Sequence, residues 1–287
     1  NNFIGYLAGD SLISGSQNTA IGNSALATSI GSSNNVAIGP SAGQNITTGN
    51  SNVLIGYKAG FAQKTQSSVI AIGYEAMGGT AGTMEGYDIA IGYRTMFNAR
   101  DGANGTALGN SALENYVGSY SVAVGGETGR YASGSYNTFM GYNAGKGGTT
   151  SAPFSTGTSN VAVGYGAHDA FTSAENNVAV GINSLGNATT GYYNTAVGSH
   201  AGLGITTGVE NVAIGRATLY QNSTGIRNTA VGYAASNYGT AFSDTTTIGA
   251  DAGTYATGSF NTFVGSHAGK GGTTSAPYSS AEKNTAI

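Results

Sequence analysis

Apolar and small residues alternate in one short phrase that returns along the whole chain. In Asn18-Thr19-Ala20-Ile21-Gly22 and Asn35-Val36-Ala37-Ile38-Gly39 the residue before the glycine is aliphatic, as it is in all 17 copies. The residue before that is Ala in 12 copies, and the next one back is Thr, Val, Ile or Asn. Alternation with period two predicts a strand, ended by the glycine. The closing glycines stand at 5, 22, 39, 56, 73, 92, 109, 125, 141, 164, 181, 198, 215, 232, 249 and 265. Their spacing is 17 residues ten times, 16 three times, 19 once and 23 twice, counting the interval that Ile287 leaves one residue short. A fixed short period is the mark of stacked coils.

The pattern therefore predicts an all-β parallel β-solenoid with coils of about 17 residues, one repeat domain over 1–287 of about 16 coils. Within a coil, Ile and Val are expected to fill the interior and Ala to form the opposite face. A small residue three positions after the glycine (Ala25, Ala42, Ala59, Ala112, Ala201) begins what reads as a second short strand, followed by a turn such as Thr47-Thr48-Gly49-Asn50. An outward stripe of Ala suits close approach of another backbone, so this face is expected to be buried in a bundle of three chains. Asn occupies the fourth position before the glycine in 12 of 17 copies, which predicts an amide ladder along the stack. Val69, Asp88, Gly105, Ser121 and Thr245 should interrupt it.

Composition narrows the class. Gly is 49 of 287 without a Gly-X-Y triplet and with only three Pro, which excludes collagen. Regular Ile and Val with a net charge of −3 oppose disorder. No apolar run is long enough to span a bilayer, so this segment is expected not to insert in a membrane. Ten scattered Lys and Arg make no basic stripe, so nucleic acid is not an expected partner. The absence of Cys excludes disulfides and thiolate metal sites. The chain starts and stops inside the motif, which suggests a fragment of a longer fibre.

A longer period overlies the short one. Residues 135–155 return at 259–279, seven coils on, and Ala144–Pro153 is identical to Ala268–Pro277. Both copies lie where a coil is extended, so inserted loops are expected at 142–164 and 266–287. Insertions in solenoids map to one side and frequently bind. Lys146, Thr149, Thr150 and Phe154 in the first loop, and Lys270, Thr273, Thr274 and Tyr278 in the second, are the candidate partner contacts. Phe139 and Phe263 replace the usual Ala there and are expected to widen the layer.

Little of the remaining sequence points to chemistry. Gly145-Lys146-Gly147-Gly148-Thr149-Thr150 lacks the spacing and the following helix of a phosphate loop. His200 and His267 stand in matching Gly-Ser-His-Ala-Gly segments; an inward His in a bundle of three could take a metal or anion, whereas His168 and the others read more simply as turn residues. Carboxylates such as Glu75, Asp101, Glu127, Asp169, Glu210 and Asp251 read as isolated, and no nucleophile set stands out. No enzyme, cofactor or metal site is expected. Tyr follows the glycine in seven coils, and Tyr57, Tyr74 and Tyr93 are consecutive, so they should stack. They form a candidate aromatic platform for sugar rings or a protein, or else simply cover a corner of the coil.

The phrases Asn-Thr-Ala-Ile-Gly-Asn-Ser-Ala-Leu (18–26) and Asn-Val-Ala-Ile-Gly-Pro-Ser-Ala-Gly (35–43) resemble the head repeats of trimeric autotransporter adhesins. They are also similar to repeats in phage tail fibres and phage-like injection machines. The resemblance covers essentially the whole chain and implies a left-handed β-roll with three chains about one axis. It departs from the adhesin pattern in its steadier 17-residue coil and frequent Tyr after Gly. A structural and adhesive extracellular rod is the expected function, a homotrimer on a bacterial surface or phage-like particle that meets a host glycan or protein. The alternatives are a glycan-degrading fibre with its active site between chains and, ranked lower, an ice-binding solenoid.

Overall fold

The computed structural model describes residues 1–79, 86–100, 102, 104–148, 154–271 and 280–287. The fold is all-β, a parallel β-solenoid with one short strand per coil, three residues long except for two in the last. The chain divides into two compact units, Asn1–Asn137 and Thr138–Ile287. The first holds β1 (Asn2–Ile4), β2 (Thr19–Ile21), β3 (Val36–Ile38), β4 (Val53–Ile55), β5 (Ile70–Ile72), β6 (Ile89–Ile91), β7 (Thr106–Leu108) and β8 (Val122–Val124). The second holds β9 (Thr138–Met140), β10 (Val161–Val163), β11 (Val178–Val180), β12 (Thr195–Val197), β13 (Val212–Ile214), β14 (Thr229–Val231), β15 (Thr246–Ile248), β16 (Thr262–Val264) and β17 (Thr285–Ala286). Within each unit successive strands pair in parallel with each position on its own copy, as Ala20 on Ala37 and Ile21 on Ile38. No helix among the described residues is long and apolar enough to cross a membrane.

The closing glycine ends each strand for a steric reason. Gly39 has φ +130°, and a Cβ added there would lie 2.6 Å from the carbonyl oxygen of Gly56 in the next coil. Only a residue without a side chain can turn the backbone while stacked at the coil spacing of about 4.8 Å.

The two strand faces are the reverse of the expected assignment. The middle residue points inward: Ala20, Ala37, Ala71, Ala90 and their copies are wholly buried. The flanking Val, Thr and Ile point out, and Ile21, Ile38 and Ile214 are 36–40% exposed. Alternation alone is symmetric between the faces. Interior volume decides: Leu26, Ile46, Met77 and Leu113 enter from the turn side and are all at most 1% exposed, leaving room only for Ala opposite.

The expected second strand is also replaced. After the glycine the backbone alternates handedness, with the second and fourth residues at positive φ, as Ser24 (56°) and Leu26 (50°), or Arg94 (47°) and Met96 (50°). This segment still bonds coil to coil: Ser24 N–H donates back to Tyr6 O, and Leu26 N–H donates forward to Ala42 O. The stack is therefore satisfied on both sides of the coil without a second β-ladder.

Size is exchanged between interior positions of one coil. Where the strand centre is large, the fourth residue after the glycine is Gly: Phe3 with Gly9, Leu54 with Gly60, Phe139 with Gly145 and Phe263 with Gly269. In each pair a Cβ on the glycine would run into the large side chain. Phe139 and Phe263 thus do not widen a layer for contact; they are buried, and the missing side chain of the facing glycine takes up their rings.

The asparagine ladder is present. Asn211 donates from its backbone and side chain to Asn194 Oδ1, both at 3.0 Å, and its Nδ2 also reaches Gly225 O at 2.8 Å. Asn177, Asn194, Asn211 and Asn228 repeat this with at most 1% exposure. The amide chain breaks at the expected places, but side-chain acceptors patch several of them. Asp88 Oδ1 accepts from Gly105 N–H (2.8 Å), and Ser121 Oγ accepts from Asn137 N–H (3.1 Å). Gly105 has no side chain to accept, and there the buried Tyr116 hydroxyl takes the place of the missing amide, receiving Ser121 N–H at 3.2 Å.

Candidate functional site

Because each coil places its residues above their copies, surface features form as columns. The Tyr column is one. Tyr57 and Tyr74 stack at 5.1 Å, and Tyr74 and Tyr93 at 5.4 Å with 10° between planes. All three are exposed, and Lys58 Nζ lies 5.3 Å from the Tyr57 ring. Similar pairs occur at Tyr120–Tyr136 and Tyr142–Tyr165 in other coils. Ring separations close to the coil spacing show that stacking follows directly from the period.

Carboxylates that read as isolated along the chain are brought together by the stacking. Arg94 lies 3.9 Å from Glu75 and 3.2 Å from Glu114, and Arg130 lies 2.7 Å from Glu114 and 3.5 Å from Glu127. Comparing matched positions in neighbouring coils would have found the Glu75–Arg94 pair, since both stand two residues after their glycine. Every acid of this network faces an arginine. It is suited to holding a turn face together rather than to proton transfer.

The loop candidates divide. Thr149, Thr150, Thr273, Thr274 and Tyr278 lie outside the described residues. Lys146 and Phe154 are half-buried, and Lys146 is close enough to Asp169 to oppose the upward push of burial on that carboxyl. Lys270 Nζ lies 3.9 Å from Asp251, which His267 also approaches at 3.6 Å.

The three histidines have different settings. His200 and His267 each place Nδ1 2.8 Å from the hydroxyl of the preceding serine. His168 is wholly buried in a position that six other coils give to Leu or Met, stacked 5.2 Å from Phe171. Neither of its nitrogens makes a hydrogen bond of good geometry, and burial lowers its pKa to about 4. It is a neutral core residue, not the turn residue expected. No group of three potential metal-ligating side chains occurs among the described residues. In the first unit, burial pushes Asp88 up to about 7 against the Gly105 N–H bond, and its Oδ2 has no partner. Burial also pushes the neighbouring Tyr116 up to about 12.

Among the described residues, grooves on the turn side include two of note. One, in the first unit, has a volume of about 590 Å³ and is bordered by Phe61, Lys64, Phe97 and Asn98. The other, in the second unit, has about 390 Å³ and is bordered by His200, Arg216, Tyr220, Tyr233 and Tyr238. Their walls are columns of matched positions, as Phe61, Gly78 and Phe97 five residues after their glycines or Arg216 and Tyr233 one residue after theirs. Which columns border a hollow depends on the conformation after the strand, which the sequence pattern did not show. Comparison with known proteins found no matching family model, no matching curated protein and no matching solved structure.

Proposed function

We propose that the chain is a structural and adhesive segment of an extracellular fibre, assembled as a homotrimer and carrying binding surfaces toward a host cell. The observation that carries this reading is the outward strand face. In β3 to β6 it bears Val36 and Ile38, Val53 and Ile55, Ile70 and Ile72, Ile89 and Ile91, stacked in register. Two uninterrupted columns of β-branched side chains make an apolar strip of the kind that marks an interface rather than a water-facing sheet. The seam thus passes to Ile and Val, with Ala inside the coil. The threefold arrangement, the left-handed coil and the setting on a bacterial surface or phage-like particle rest on the resemblance of the repeat phrase.

Placing a charge on this strip tests the proposal. Light scattering of the purified chain is expected to give about three times 28.4 kDa. Replacing Ile72 and Ile91 together by Asp is expected to dissociate it, because two buried charges per chain would then face apolar neighbours. A monomer mass for the unaltered chain would rule the trimer out. Incubation with bacterial surface polysaccharide addresses the role: retention of intact polysaccharide is expected, and shortened chains would instead favour a degrading fibre.

A further inference from the structure

The groove of the second unit combines three elements that seldom meet on this chain. The first is an uncompensated cation. Arg94, Arg130 and Arg227 each hold a carboxylate at 2.6–3.2 Å. Arg216, by contrast, has no carboxylate within 4 Å among the described residues and is exposed.

The second element is order. Arg216 Nη1 donates to the Tyr233 hydroxyl at 3.3 Å, and its guanidinium carbon lies 5.5 Å from the centre of the same ring. A guanidinium parked against an aromatic ring loses less freedom on binding an anion, and its planar fork fits a carboxylate in bidentate fashion. The third is an aromatic wall. Tyr233 is half-exposed, Tyr220 and His200 face each other at 6.3 Å, and Tyr238 stacks on Tyr255 at 5.0 Å. Such rings offer an apolar face to the C–H side of a sugar and a polar edge to its hydroxyls. Asn237 adds an amide at the groove wall. At about 390 Å³ the groove is at the small end of ligand sites, roughly 300–1,000 Å³.

We infer that this groove is a subsite for a carboxylate-bearing sugar, with Arg216 holding the carboxylate and Tyr233 the ring face. The subsite rests on the reading of the chain as an adhesive segment, and gives that reading one ligand class: acidic rather than neutral glycans.

Titration calorimetry with oligogalacturonate, a neutral malto-oligosaccharide and inorganic sulfate distinguishes the sources of affinity. Oligogalacturonate is expected to bind, the neutral oligosaccharide not to, and sulfate only weakly, because it lacks a ring. Arg216→Gln should weaken oligogalacturonate about tenfold or more by removing a charge-assisted bidentate contact, and Tyr233→Ala should weaken it as well. Both positions are exposed, so unchanged melting temperatures should accompany the loss. Absence of oligogalacturonate binding, binding that survives Arg216→Gln, or equal affinity for sulfate would each overturn the assignment. If the intact trimer nevertheless retains bacterial polysaccharide, the adhesive reading stands and only the groove falls.

Discussion

At position 88 a carboxylate stands in a buried column that otherwise favours the neutral amide. Its Oδ1 does the work of an asparagine oxygen toward Gly105, but its Oδ2 finds nothing, whereas an asparagine there would carry an N–H₂. Elsewhere that amide donates to the carbonyl 14 residues on, as from Asn194 to Gly208. Since burial raises the folded-state pKa to about 7, the folded chain keeps a proton that the unfolded chain releases near pH 4. Stability of the first unit therefore falls as pH rises through this window. Asp88→Asn is expected to raise stability at pH 8 by about 1–3 kcal/mol and to remove that slope. Melts of both proteins near pH 5 and pH 8 check it, and a difference between them that does not change with pH would contradict the account. His168, in the second unit, acts with the opposite sign: folded it stays neutral down to about 4, so stability there is lost as pH falls below the usual histidine range. The sequence pattern located the columns correctly at this scale, including Asn177 to Asn228. It could not say which strand face was inside, because Val-Ala-Ile reads the same from either side.

Among the elements, the strand was legible and the segment after it was not. A period-two pattern announces a strand, but alternating right- and left-handed residues produce the same periodicity of small and large side chains. A trace of the true conformation does lie in the sequence. The fourth residue after the closing glycine is itself Gly at 9, 43, 60, 129, 145, 202, 253 and 269, all with positive φ. Leu26, Met77 and Leu185 adopt the same left-handed conformation because interior packing outweighs its local cost. The closing glycines admit no such exception. At Gly198, with φ +133°, an added methyl would meet the Gly215 backbone at 2.7 Å. Gly198→Ala is expected to cost at least about 3 kcal/mol, measured by chemical denaturation. Gly186→Ala is the control, since the nearest atom to its added methyl is the end of the Leu203 side chain, 2.9 Å away. Equal losses at the two sites would mean that the glycine column is not what sets the bend.

At the scale of the molecule, repetition decided what could be read. The period reports parallel coils and in-register columns, so stacked tyrosines at 57, 74 and 93 could be foreseen. The Glu114–Arg130 pair, both five residues after their glycines, could have been found in the same way. The Arg94–Glu114 contact, by contrast, joins different positions of different coils, and the grooves depend on the conformation after the strand. The same repetition suits a surface that meets its target many times at low affinity.

Nearly every bond that closes one coil onto the next runs between residues about 17 apart. Tension applied through the chain ends would therefore load one coil boundary at a time, in a nearest-neighbour stack. Single-molecule extension should show a staircase, each step releasing one coil of about 17 residues, or roughly 60 Å of chain at full extension. The 23-residue interval from Gly141 to Gly164 should stand out as one step of about 80 Å. A single large rip instead of a staircase would show that the coils yield together. A chain that gives way in this manner dissipates force in portions, which suits a tether that must remain attached while its anchor is pulled away.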